Sequence, residues 1–191
     1  MIRRALIVGA VAAVAAALAW LLFVVLPKPP SSRTGPSSAA AAPEAPAAAG
    51  RKIKARLFYV AEDGIHLTPV ERDVAYGEGP LEQAREIVAA QLAPVADPLV
   101  SAIPAGTTLR ALFLTDRGEA YVDFSTEIVA AHSGGTLDEL LTVYTIVNAL
   151  TENLPAVTSV QVLVDGKEVD TLAGHVDLRN PLEKNGAWVL Q

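Results

Sequence analysis

From Ile53 to Val60 the chain reads I-K-A-R-L-F-Y-V, a strand-like segment, and Glu62-Asp63-Gly64 makes a turn. Ile65 to Arg72 reads as the returning strand, with Pro69 marking an edge position because proline has no N–H to give a ladder. Pro80 suits a first helical turn. Leu81, Ala84, Val88 and Leu92 then recur at helical spacing until Pro94. After a loop over 93–107, Leu109–Leu114 and Ala120–Phe124 form a hairpin around Asp116-Arg117-Gly118-Glu119. In its second strand Ala120, Val122 and Phe124 share one face, Tyr121 and Asp123 the other. Thr136-Leu137-Asp138-Glu139 fits a capping box, in which Thr136 and Glu139 would satisfy the first N–H groups of a helix over 137–152. Leu137, Leu140, Leu141, Tyr144 and Val147 would be its apolar face. Val160–Val164 and Lys167–Leu172 are strands joined by Asp165-Gly166, a pair that tolerates the positive φ of a two-residue hairpin turn. The order β-β-α-β-β-α-β-β predicts an α+β fold, two helices packed on one mixed or antiparallel sheet.

The first fifty residues follow another pattern. Residues 1–4 carry Arg3 and Arg4, and Ala5 to Leu26 are uncharged. As a helix those 22 residues would span roughly 33 Å, enough for a bilayer core. A cleaved signal peptide has a shorter apolar core and a small-x-small site, whereas this run ends in Trp20-Leu21-Leu22-Phe23-Val24-Val25-Leu26. The expectation is an uncleaved anchor over 5–26, with residues 1–4 cytoplasmic and the remainder outside. Residues 27–52, rich in proline, alanine and serine, read as a disordered tether. A folded domain over 53–182 and a tail over 183–191 complete the expected organisation.

Charge sharpens the division. Arg3, Arg4, Lys28 and Arg33 against Glu44 give +3 for residues 1–50, so the whole-chain −6 leaves −9 for the rest. So acidic a domain is a poor nucleic-acid binder. The chain has no cysteine, which excludes disulfides, thiol nucleophiles, zinc–thiolate sites and an acylated-cysteine anchor.

Candidate chemistry is sparse. His66, His132 and His175 are scattered, with none at i,i+4 from another, so no metal or cofactor is expected. Ser133-Gly134-Gly135 lacks both the Walker lysine and the dinucleotide glycine spacing, and no G-x-S-x-G occurs. Asn148 falls on the expected inward helix face, where an unpaired amide is costly; it should bind backbone of a neighbouring loop. Gly174-His175-Val176-Asp177-Leu178-Arg179-Asn180-Pro181-Leu182 could be an active-site remnant or a loop that closes the fold.

The stretches VSAIPAGTTLRALFL, EAYVDFS, LLTVYTIVNALTENLPAVTSVQVLVDGKEV and LAGHVDLRNPL together resemble the GerMN domain family of sporulation and germination, over about 53–182. Its most specific parts are Ile146–Glu152, Val160–Gly166, and Gly174 to Asp177 with Pro181. The resemblance implies a secreted, membrane-anchored or lipid-anchored bacterial domain, similar in fold to ring-building motifs of envelope assemblies and without established catalytic residues. It also implies a scaffold or adaptor role through contacts with other envelope proteins, a second copy of the chain being a further candidate partner. A single domain and the lack of an acylated cysteine depart from well-known members and put a spore-specific role in doubt. Asn148, Gly174, His175, Asp177, Pro181, Asp165, Gly166, Thr136 and Glu139 are then structural positions. The competing expectation is a receptor for a small ligand or cell-wall fragment, with a pocket around Tyr59, Tyr121 and loop 93–107.

Overall fold

A computed structural model describes residues 50–190. The expected anchor over 5–26 and most of the tether lie outside the described residues. Among the described residues no helix is long and apolar enough to cross a membrane.

The fold is α+β. Strands β1 (Lys52–Val60) and β2 (Leu67–Ala75) form an antiparallel hairpin, followed by helix α1 (Pro80–Leu92). Strands β3 (Leu109–Leu114) and β4 (Glu119–Phe124) form a second hairpin, and a one-turn helix α2 (Glu127–Ala130) leads to the long helix α3 (Thr136–Asn153). Strand β5 (Ser159–Val164) lies parallel to β4, with α3 as the crossover that parallel pairing requires. Two short strands, β6 (Lys167–Glu168) and β7 (Leu182–Glu183), pair antiparallel with opposite ends of β5.

Three expectations change here. The strands divide into a two-stranded sheet and a mixed sheet, not one sheet. The returning strand expected over 167–172 stops at Glu168, because its continuation is drawn away towards α3. Residues 183–190 are no free tail: β7 pairs with β5, Val189 bridges Leu67, and the Leu190 N–H donates to the Leu67 carbonyl.

Helix α3 sits at the centre. It packs against β1, α1 and β5. Leu141, Val143, Ile146, Val147, Ala149 and Leu150 are all buried, so its apolar surface is wider than the single stripe expected. Val122, Phe124, Val160 and Val162 meet the core from the mixed sheet. Tyr59 is also fully buried, and desolvation raises its phenol pKa above the usual value.

Among the described residues the outer edge of β1 has no neighbouring strand over most of its length, and side-chain amides from the helices replace one. Gln91 of α1 accepts from the Phe58 N–H at 2.9 Å and donates to the Phe58 carbonyl at 2.8 Å. Asn153 of α3 does the same for Arg56, at 2.9 and 2.8 Å. A primary amide carries the donor and acceptor of a peptide group, so it satisfies both orphan groups of one residue. Gln83 of α1 secures the end of β2, accepting from the Gly77 N–H and donating to the Ala75 carbonyl. Beyond that, Cβ-free Gly77 lets the chain pass against α1: an added Cβ would lie 2.3 Å from the Gln83 nitrogen.

Candidate functional site

The segment 170–179 leaves β6 and folds over the first turn of α3. Glu139 is why. Its carboxylate is fully buried. The Leu172 N–H donates to Oε1 at 2.7 Å and the His175 N–H to Oε2 at 2.8 Å. Burial by itself would raise the Glu139 pKa. The N–H groups of Ala173, His175, Leu172 and Val176 outweigh burial and hold the carboxyl below its usual range. Glu139 is therefore an anion held in a curl of backbone.

This overturns the capping-box reading of Thr136 and Glu139. The helix N-cap is Gly135, at φ 90°, and no side chain caps it. Thr136 is exposed, and Glu139 turns away from the helix start to bind the distant loop. A signal was available: Glu139 stands four residues before Val143 and seven before Ile146, in register with buried positions.

The loop itself is strung on that anion. His175 places Nδ1 3.3 Å from the Glu139 carboxylate, with its side chain partly exposed. Gly174 has φ 95°, a conformation that L side chains rarely adopt, and donates its N–H to Thr171 Oγ1. Asp177 is exposed and grips Arg179 of its own loop, with Nη2 at 2.6 Å and Nε at 2.9 Å. The guanidinium, first of all, pulls the Asp177 pKa down to about 2. Leu178 is buried, and its carbonyl accepts from Gln161 at 2.6 Å. Pro181 then leads into β7.

Asn148 lies apart from this loop. Its amide donates to the Asn185 carbonyl and accepts from the Asn185 N–H, both at 3.0 Å. It thus holds the chain after β7, with neither His175 nor Asp177 as partner. Asp165 and Gly166 both have positive φ, 52° and 75°. Buried Asp123 accepts from the Gly166 N–H at 2.8 Å, and Arg110 forms an ion pair with Asp165. His132 and His66 are engaged locally, with the Gly134 N–H and Thr142 and with Asp63. Among the described residues no group of His and carboxylates could hold a metal ion.

Two hollows flank these elements. A shallow one of about 260 Å³ opens beside Thr171, Gly174, His175 and Arg179. A larger half-open groove of about 610 Å³ lies at the tip of the β1–β2 hairpin, lined by Val60, Glu62, Asp63, Leu99 and Leu190 among others. The pocket expected around Tyr59 and Tyr121 does not form: Tyr59 is core, and Tyr121 stands half-buried across from exposed Phe113. Only the loop 93–107 part of that expectation meets a hollow, through Pro98 and Leu99.

Comparison with known proteins bears on the whole domain. No curated protein matches the sequence. The fold is similar to that of a Clostridium perfringens protein described as a lipoprotein, at 21% identity and TM-score 0.50, covering 71% of this chain and 89% of that one. It is similar to the tandem GerMN domains of the sporulation protein GerM from Bacillus subtilis, at 17% identity and TM-score 0.55, covering 70% of this chain and 46% of that one. The first of those domains alone gives 18% identity and TM-score 0.50, with 70% and 96% covered. The Germane family, described as "Sporulation and spore germination", matches residues 56–170. That match spans more than half of the sequence, and the fold agrees with it: the chain belongs to the Germane family.

Proposed function

We propose that this chain is a non-enzymatic scaffold or adaptor, tethered to a bacterial cytoplasmic membrane by residues 5–26 and carrying its domain on the extracytoplasmic side on the linker 27–52. The observation that carries this reading is the use made of the polar side chains around the 170–179 loop. Glu139 is spent on backbone N–H groups, and Asp177 on Arg179. Asn148 is spent on Asn185. Asp177 does border the shallow hollow, but paired with Arg179, while Glu139 and Asn148 do not line it. The family description supports a role of the sporulation or germination type. A lipoprotein among the similar folds supports attachment to a membrane. On this reading the chain needs no cofactor and no nucleic acid, and its partners are other envelope proteins or a second copy of itself.

The test is complementation of a deletion strain alongside thermal unfolding. His175→Ala and Asp177→Ala should retain function wherever protein level and melting stay at wild type. Loss of function in a stable, normally abundant Asp177→Ala protein would make the loop a site and end the scaffold reading. Photo-crosslinking from several surface positions in the native membrane should yield specific protein adducts; a complete lack of adducts would count against a partner.

A further inference from the structure

The groove at the tip of the β1–β2 hairpin has the features of a docking surface. Of the large apolar side chains exposed on the domain, one lines it and two adjoin its lining residues. Leu190 lines it and is 43% exposed; Val100, 55% exposed, follows the lining residue Leu99 and bridges Val60; Ile65, 50% exposed, stands on the hairpin turn next to Asp63. Isolated exposed hydrophobics need no explanation, but a cluster on a concavity does. The volume falls within the roughly 300–1,000 Å³ usual for binding clefts, while the open side suits a chain segment laid across it better than an enclosed small molecule.

The charge around it is one-signed. Among the described residues no lysine or arginine lines the groove. Glu62 on its wall and Asp97 beside Pro98 are exposed and make no ion pair among the described residues, while Asp63 is held by His66. Two uncompensated carboxylates beside an apolar floor call for a cation next to an apolar side chain. They repel an anionic membrane surface, and in a symmetric pair of copies they would face their own kind.

We propose that this groove docks a short segment of a partner protein in which an apolar side chain is flanked by lysine or arginine. The proposal rests on the adaptor reading above and names the kind of partner it takes. The apolar residue fills the space between Val60, Leu99 and Leu190, and the cation sits between Glu62 and Asp97. Rim charges of this sort act mainly on recognition and association rate, and the buried apolar contact on residence.

The test uses the full chain in zwitterionic nanodiscs and fluorescent hexapeptides: one alternating lysine and leucine, one with glutamate for lysine, one with serine for leucine. The lysine–leucine peptide should bind and the other two should not. The double substitution Glu62→Lys with Asp97→Lys, and separately Leu190→Ser, should each weaken binding about tenfold. Glu168→Lys on β6 reverses one carboxylate elsewhere, half the charge change of the double variant, and should leave binding unaltered. Equal weakening by Glu168→Lys, or binding that survives the groove substitutions, overturns the proposal by reducing it to general charge attraction. Crosslinking separates this failure from failure of the adaptor reading. Specific adducts from Phe113 and none from Val100 sink the groove alone, whereas no adducts from any position sink both.

Discussion

Helix α3 is fastened at two places by different chemistry. Near its start the charged Glu139 gathers backbone N–H groups; towards its end the neutral Asn148 and Asn153 each clasp one residue's N–H and carbonyl. A buried carboxylate is stable only while several donors face it, since each lost donor leaves part of the desolvation cost unmet. A carboxamide brings one donor face and one acceptor face and asks for both. The ionic clasp is therefore strong, directional and sensitive to protons, and the amide clasps are weaker and indifferent to pH.

The largest expected effect comes from breaking the ionic clasp. Glu139→Ala strands at least two buried N–H groups and should cost about 3 kcal/mol, read as a shift of the denaturant midpoint. Glu139→Gln should cost less but still more than Asn148→Ala, because its amide turns a donor towards donors. If Glu139→Gln costs nothing, the curl of backbone is not held by charge. Next comes Asn148→Ala, which leaves the Asn185 groups unpaired and should cost about 2 kcal/mol. Gly174→Val must hold a branched side chain at φ 95° and should cost about 1–2 kcal/mol.

Acid sharpens the comparison further. The folded-state pKa of Glu139 lies below the unfolded value near 4.5, so its contribution is complete above that value. The contribution is lost as pH falls below 4.5 through the folded value. Stability of the wild type measured between pH 6 and pH 3 should decline more steeply than that of Glu139→Gln, while Asn148→Ala should parallel the wild type. Parallel profiles for wild type and Glu139→Gln would show that other carboxylates govern acid unfolding. The smallest effect is at Asp177. Although Arg179 holds its pKa near 2, the pair is exposed, and Asp177→Asn should leave the melting temperature unchanged.

Much of this fold could be read from spacing. The hairpins, both long helices and the Asp165-Gly166 turn follow from period, proline and glycine. Pro69 lies in an edge strand of the two-stranded sheet, as its missing N–H suggests. The candidate loop was half legible. Its glycine takes a positive φ that glycine adopts freely, but Glu139, the residue that holds the loop, reads in the sequence as a partner of the helix start. Thr-x-x-Glu before an apolar run describes a capping box and equally a buried anion facing outward from the first turn, and only the third dimension separates them. Asn148 was legible as a polar group needing a backbone partner, yet the partner, Asn185, lay in a segment with no regular pattern. Short strands such as β7 carry too few residues for alternation to register.

The amide clasps on β1 also set an order of events. Arg56 receives its partner from Asn153, 97 positions later, and Phe58 from Gln91, 33 positions later. A newly made β1–β2 hairpin thus exposes an unfilled rung for as long as the ribosome takes to reach the end of α3. Closing so long a loop is slow, and an unfilled rung is a template for the wrong strand. A chain delivered to its compartment piecemeal would meet that hazard at each delay, so the yield of native domain should depend on how quickly the second half follows the first.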